Sequence, residues 1–201
     1  FTVDAAGKVS DVVKGSAEEP EAIVNSPACR VNLKEQYDLL KKSSGAEAQS
    51  SLSLKLPVFK CALDNETVYL FSCYGAGLWG PIWGYIALKD DFNTVYGAAF
   101  DHKSETPGLG AKITETPFYS QFKGRSITDE GYFGVIKGGA KDTEHEVDAI
   151  SGASITSGAV GTTVRTWVKY YLPYLNKLAA ESAAAQEPVA EEIVEPTTEE
   201  E

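Results

Sequence analysis

Five hydroxyl or carboxyl side chains and a glycine crowd into Asp148-Ala149-Ile150-Ser151-Gly152-Ala153-Ser154-Ile155-Thr156-Ser157, a segment with no basic residue. Just beyond it, Val160, Val164, Trp167, Val168, Tyr171 and Leu175 recur at the three-to-four spacing of a helix with one buried face. Ser154, Thr156 and Ser157 therefore fall where that helix begins, and each has the side chain of an N-cap. Unpaired backbone N–H groups at a helix start, together with the positive end of the macrodipole, make a seat for a phosphate. Gly152, Ala153, Gly158 and Ala159 leave room for a bulky group to approach the backbone. A plain capped helix after a Ser/Gly loop would have the same composition.

The elements that must position this stretch belong to a chain of 201 residues, enough for one substantial domain with a real core. A hydrophobic fraction of 43% and ten tyrosines fit a soluble globular protein, and no stretch approaches the roughly 20 apolar residues that span a bilayer. There is no methionine, so the chain reads as a fragment or processed product from which an N-terminal signal or anchor could have been removed. The net charge of −11 is concentrated at one end: residues 181–201 carry eight glutamates and no basic residue. Neither part has the basic surface of a nucleic-acid binder. Cys29, Cys61 and Cys73 are odd in number and lack CxxC spacing, which argues against a zinc or dithiol site. Buried free thiols, or a Cys29–Cys61 or Cys61–Cys73 disulfide in an exported domain, remain.

The pattern along the chain predicts an α+β fold: a mixed or antiparallel sheet with flanking helices, forming a single domain with an N-terminal extension. Thr2-Val3-Asp4 is a short strand, residues 8–14 a strand or helix start, and residues 31–48 a helical segment broken by Lys41-Lys42-Ser43-Ser44-Gly45. Leu52-Ser53-Leu54-Lys55-Leu56 alternates as a strand does, and Pro57-Val58-Phe59-Lys60-Cys61 with Thr67-Val68-Tyr69-Leu70-Phe71 forms a hairpin around Asp64-Asn65. Residues 75–88 read as a close-packed glycine and tryptophan loop feeding a strand, residues 94–100 as another strand, and Pro107-Gly108 as a turn. A short helix over 116–125 and a strand over 132–137, ended by Gly138-Gly139, lead through the acidic loop 142–146 into the opening stretch. The last helix covers about 156–176, kinked or ended by Pro173, before an acidic tail expected to be disordered. The division expected is 1–74, an N-terminal α/β portion; 75–178, the main domain; and 179–201, the tail.

Three stretches in order resemble one family: Gly77-Leu78-Trp79-Gly80, Glu105-Thr106-Pro107-Gly108-Leu109-Gly110, and Asp148-x-x-Ser151-Gly152-Ala153-Ser154 preceded by Val135-Ile136-Lys137-Gly138-Gly139-Ala140. They are similar to the FMN-binding domain found in the C subunit of the sodium-translocating NADH:quinone reductase and in the G subunit of the related Rnf complex. The long segment before Gly77 favours the former. The resemblance implies FMN attached covalently through a phosphoester, usually to a threonine at the position that is Ser154 here, with Thr156 the second candidate acceptor. It implies that Asp148, Ser151 and Gly152 shape the loop and help the transferase recognise it, that Ala153 belongs to the same cofactor-binding motif, and that Thr156 and Ser157 donate hydrogen bonds near the phosphate. Glu105, Thr106, Gly108 and Leu109 would line the isoalloxazine, Trp79 or Tyr85 would lie near its other side, and Lys137 and His145 would balance anionic flavin charge or bind phosphate.

The same resemblance implies an electron-transfer protein relaying one electron at a time, working with the other subunits of a membrane complex. The domain would lie on the outer (periplasmic) side of the inner membrane behind an N-terminal single-pass anchor, and a separate transferase using FAD and Mg²⁺ would attach the flavin. No catalytic triad, metal cluster or nucleotide-binding glycine loop competes with this reading. An Rnf-type subunit and a flavin-free scaffold domain are the alternatives.

Overall fold

The computed structural model describes residues 1–16, 18, 20–42, 53–127 and 133–186, and the fold is α+β as the sequence pattern predicts. Six strands form one sheet in the order β2-β1-β3-β4-β5-β6: β1 is Thr2–Val3, β2 Val9–Ser10, β3 Leu56–Ala62, β4 Thr67–Ala76, β5 Pro81–Leu88 and β6 Val95–His102. Every pairing in it is antiparallel. Two short helices, α1 (Glu21–Val24) and α2 (Leu33–Lys42), precede β3. After β6 come a 3-10 helix (Gly110–Thr114), α3 (Thr116–Tyr119) running into a 3-10 turn (Ser120–Phe122), and a parallel pair, β7 (Gly134–Ile136) with β8 (Glu146–Asp148). The long helix α4, Ser154–Gln186, closes the described chain.

Strand alternation decides which face α4 covers. On β4, Tyr69, Phe71 and Cys73 share one face, and the Phe71 ring packs edge-on against Tyr171 of α4 at 4.8 Å. Trp167 and Tyr171, both fully buried, also anchor the helix through polar tips. Trp167 Nε1–H donates to the Tyr74 carbonyl at 2.6 Å, and the Tyr171 hydroxyl lies 3.1 Å from the carbonyls of Pro57 and Ser72. Tyr74, one residue out of phase with Cys73, meets Tyr37 of α2 across the opposite face at 5.7 Å. Phe100, Phe118, Phe122 and Phe133 stack beside α4 and seat α3 on β6.

Several expectations shift. The hairpin around Asp64-Asn65 forms in the register Val58↔Phe71 to Ala62↔Thr67. The strand expected over 52–56 starts only at Leu56, because the Lys55 N–H is taken by the Gln36 side chain of α2 at 2.8 Å; Leu52 lies outside the described residues. The loop feeding a strand expected over 75–88 is found as the end of β4, a tight turn closed by Gly77 N–H to Gly80 O at 2.7 Å, and all of β5, with Pro81 in the first strand position, where a missing donor is tolerated. The strand at 132–137 is Gly134–Ile136, and Tyr132 falls outside the described residues. Helix α2 spans Leu33–Lys42; residues 43–52, where the break was expected, also lie outside them.

Helix α4 begins two residues earlier than expected and does not end at Pro173. Pro173 is on the exposed side, whereas Tyr174, next in line, is buried against Phe1 at 5.6 Å, and Leu178 packs on the core one turn on. That packing outweighs the lost backbone bond. Residues 179–186, expected in the tail, are therefore helical.

The thiols are free and differ in environment. Cys73 is buried, and burial pushes its pKa up to about 12; Cys61 is half-buried, and Cys29 is exposed rather than in the core.

The N-terminal strands dock on α4 through Gly7, which has φ +75° and no space for a Cβ, since one would lie 2.7 Å from the Tyr174 amide nitrogen. Gly7→Ala is expected to cost about 1–3 kcal/mol and to lower Tm by roughly 2–4 °C per kcal/mol. Gly97→Ala, which meets nothing within 4 Å, is expected to leave Tm near the parent value in the same calorimetric measurement.

Candidate functional site

The site is assembled around a carboxylate. Glu105 is only 4% exposed, three residues past the end of β6. Its Oε1 accepts the Trp79 backbone N–H at 2.9 Å, and its Oε2 accepts the Thr156 hydroxyl at 2.7 Å. Its own N–H donates to His102 Nδ1 at 3.1 Å. Three separated segments thus meet on one side chain: the β4–β5 turn, the loop after β6, and the first turn of α4. A Cβ on Gly77 would sit 2.5 Å from Glu105 Oε1, and one on Gly110 would overlap Oε2 and come within 2.9 Å of the Thr156 oxygen. Glycine at both positions is what lets the backbones close on the carboxylate.

The hydroxyls at the helix start divide into two kinds. Thr156 and Ser157 are 1% and 0% exposed. Thr156 spends its proton on Glu105, while the Ser157 hydroxyl donates to the Ala153 carbonyl at 2.9 Å and accepts the Ile150 N–H at 3.2 Å. Each hydroxyl proton is already engaged within the protein, and neither side chain caps the helix; Ala153 occupies the cap, its carbonyl accepting the Ser157 N–H. Ser154 is half-exposed at the first position of α4, beside Ile155, which is 64% exposed. Ser151 is exposed in the turn, and Gly152 has φ +77°, with the Leu109 side chain 3.1 Å from where its Cβ would be. Exposed Trp79, Leu109 and Ile155, from three elements tied to Glu105 or Gly152, give this end of the molecule an apolar surface.

The loop before Ser154 is held from outside. The Asp148 N–H donates to the Gln121 side-chain oxygen at 2.9 Å, and the Asp148 carboxylate accepts the Ala140 N–H at 2.7 Å beyond the Gly138-Gly139 turn, whose φ values are +90° and +107°. Sequence reasoning misses Gln121, because nothing local marks it. The turn Thr106-Pro107-Gly108-Leu109 is closed by Leu109 N–H to Thr106 O at 3.1 Å, with Thr106 and Gly108 exposed and Gly108 at φ +75°. Glu105, expected to line a flavin ring, is the buried support beneath that turn.

Three candidates lie apart. Tyr85 pairs in register with Ser72 and Ala99, one residue out of phase with Gly84, Cys73 and Phe100, so it stands on the sheet face opposite α4. Lys137 is exposed just past β7. His145 bonds Asp142 at 2.9 Å, which, with the Glu144 N–H, holds the Asp142 carboxyl below the usual range.

This combination of a half-exposed helix-start hydroxyl, a glycine-lined loop and an exposed apolar rim coincides with a known class: residues 77–169 match the family model of the FMN-binding domain. The chain is 42% identical over 118 residues to the C subunit of the Na(+)-translocating NADH-quinone reductase of Neisseria meningitidis, covering 56% of this chain and 45% of that protein. The C subunit of the Pasteurella multocida enzyme is 32% identical over 182 residues, with 88% and 62% covered. The crystal structure of the C subunit from Parabacteroides distasonis matches with a TM-score of 0.65 and 32% identity, covering 87% of this chain and 76% of that one. The chain belongs to the family formed by the C subunits of Na(+)-translocating NADH-quinone reductases. It spans about half to three-fifths of the length of the two relatives matched in sequence. Among the described residues no helix is long and apolar enough to cross a membrane.

Glu105→Ala is expected to destabilise by about 2–4 kcal/mol, since it orphans the Trp79 N–H and the Thr156 hydroxyl and leaves a cavity. Thr156→Val, which strips one partner from a buried carboxylate, is expected to cost about 1–3 kcal/mol. Urea unfolding midpoints at constant m-value measure both, and a midpoint unchanged in Glu105→Ala would show that the carboxylate is not the support described.

Proposed function

We propose that the chain is the flavin-carrying part of the C subunit of a Na⁺-translocating NADH:quinone reductase, with FMN joined by a phosphoester to Ser154 and electrons relayed one at a time. The observation that carries this reading is the contrast at the helix start: Thr156 and Ser157 are sealed and bonded, while Ser154 is reachable. The residues present fit the group. Gly152 lets the backbone pass in the left-handed region, and the α4 start supplies N–H groups toward a phosphate. Trp79, Leu109 and Ile155 offer an exposed apolar rim to a planar ring.

When bound, FMN would supply the redox chemistry, while the protein supplies attachment, orientation and surroundings. Attachment is a phosphoryl transfer: the Ser154 oxygen forms a bond to the flavin-side phosphorus of FAD, the bond to the AMP moiety breaks, AMP leaves, and the hydroxyl proton passes to a base of the separate transferase. Mg²⁺ on the transferase carries most of that catalysis. This chain's part is to present Ser154 on a loop fixed by Gln121, Ser157 and the Asp148–Ala140 bond. The wider setting also belongs to the proposal: an anchor preceding Phe1 in the native protein, a place on the outer face of the inner membrane, and the other subunits as electron donor and acceptor. The relatives' printed name supports the last of these.

Intact mass and in-gel fluorescence after co-production with a flavin transferase test the attachment. The parent chain and Thr156→Ala are expected to gain the mass of FMN less water, and Ser154→Ala to gain nothing. A gain retained in Ser154→Ala moves the acceptor elsewhere; a colourless, unmodified parent chain removes the flavin reading.

A further inference from the structure

At the end of the sheet away from the β4–β5 turn, two buried tyrosines carry hydroxyls that the fold does not use. In the β4–β5 ladder Tyr69 lies opposite Leu88 at one end, and Ala76 opposite Pro81, beside the Trp79 turn, at the other. Tyr69 and Tyr174 are 6% and 5% exposed, and among the described residues neither hydroxyl makes a hydrogen bond. A phenol taken out of water without a partner is unfavourable. No fully enclosed side-chain oxygen or nitrogen lacks a partner among the described residues, so both hydroxyl tips reach the surface although their rings do not. Tyr69 opens into a cleft of about 600 Å³ between the β5–β6 turn and α4, together with Asp90, Asp91, Phe92, Glu181 and Ser182. Burial pushes the Tyr174 pKa up to about 12, and the Tyr69 hydroxyl and the Glu181 carboxylate add to the rise, which places these groups close together.

The cleft is acidic, and none of the described residues lining it is basic. Asp90 is exposed and makes no hydrogen bond or ion pair among the described residues. Asp91 is fixed by the N–H groups of Asn93 and Thr94, which donate to its Oδ1 at 2.9 and 2.7 Å. Glu181 meets Lys177 at 3.9 Å, but both side chains are mostly exposed, and such a contact contributes little. The fold itself shows a cation at the edge of this place: the exposed Lys60 ammonium lies over the Tyr69 ring, 5.5 Å from its centroid. Among the described residues no three His, Cys, Asp or Glu side chains converge as a metal site does, so the charge to be matched is that of an organic cation.

We propose that this cleft docks an arginine side chain of a partner protein, its guanidinium meeting the Asp90, Asp91 and Glu181 carboxylates while the Tyr69 hydroxyl accepts one of its N–H groups. A guanidinium carries five donors in one plane, stays charged at every working pH and lies flat on aromatic and apolar walls, here Phe92 and Leu178. The cleft has room for roughly twenty waters, more than a guanidinium group fills, so it admits the backbone that carries the side chain. Its size falls within the ~300–1,000 Å³ of ligand sites. Because it lies at the opposite end of the β4–β5 ladder from the Trp79 turn, a partner seated here leaves the Trp79 rim open. The proposal does not depend on the flavin.

The test titrates four probes into the full ¹⁵N-labelled chain: the blocked tripeptide glycyl-arginyl-glycine amide, its lysine and citrulline counterparts, and ethylguanidinium chloride. The arginine peptide is expected to give saturable amide shifts centred on residues 67–69, 90–92 and 178–182, weakening as salt is raised. The lysine peptide and ethylguanidinium are expected to bind more weakly, and the neutral citrulline peptide not at all. Asp90→Asn and Tyr69→Phe are each expected to lower the affinity of the arginine peptide, Tyr69→Phe by about tenfold, the loss of one hydrogen bond to a charged group. Tyr69→Phe is expected to keep or exceed the parent Tm, because its hydroxyl has no partner in the fold; a lower Tm would show the hydroxyl already used and overturn the proposal. So would shifts that do not saturate, citrulline binding as tightly as arginine, or an affinity unchanged in both variants. Ethylguanidinium binding as tightly as the tripeptide would overturn the partner protein as the source of the cation.

Discussion

A buried carboxylate to which no ion pair is made among the described residues is the constraint on which the candidate site depends. Glu105 has two oxygens to satisfy, and it satisfies them with a backbone N–H 26 residues upstream and a hydroxyl 51 residues downstream. Hydrogen bonds to a charged acceptor are worth roughly twice neutral ones, so the carboxylate pulls its partners together more firmly than an amide in its place would. In return it dictates their chemistry: glycine at 77 and 110 for space, and threonine at 156 for a donor. The tight β4–β5 turn, the 3-10 helix and the start of α4 are thereby one unit, although no strand pairing joins them.

The same constraint sorts the hydroxyls. In a helix whose buried stripe runs through Val160, Val164, Trp167 and Tyr171, positions 156 and 157 point inward and 154 and 155 outward. Thr156 is drawn to Glu105, Ser157 is used up stitching the loop to the helix, and Ser154 is left half-exposed. Thr156 is therefore held by the buried carboxylate, whereas Ser154 carries no such bond to the core.

The stripe of α4 is legible in its apolar period from Val160 onward, but the sequence reading leaves Ser154, Thr156 and Ser157 equivalent at the helix start. The hairpin of β3 and β4 was equally plain from alternation and its turn. What resisted reading was tertiary. The face on which Tyr85 stands depends on the register with Ser72 and Ala99. The late start of β3 depends on Gln36, nineteen residues away. Helix α4 outlasts Pro173 because Tyr174 and Leu178 find partners, which propensity alone does not reveal. The Glu105 motif was legible as a motif, but its role as support was not, since neither of its partners lies nearby in sequence.

A covalent tether, as proposed for Ser154, changes what the surroundings of a flavin must supply. A dissociable cofactor has to be enclosed so that buried area holds it, whereas a tethered one is kept at high effective concentration by the bond itself. The protein then needs only to orient the ring and neutralise the phosphate. A site of this kind can stay open, and this one is: Trp79 is 65% exposed and Leu109 43% exposed, on a base made rigid by Glu105. Openness has a use in electron transfer, because an edge that is not enclosed can be approached closely by both donor and acceptor. Rigidity beneath and exposure above are then two consequences of one arrangement, with the cost of the buried carboxylate offset by the order it imposes.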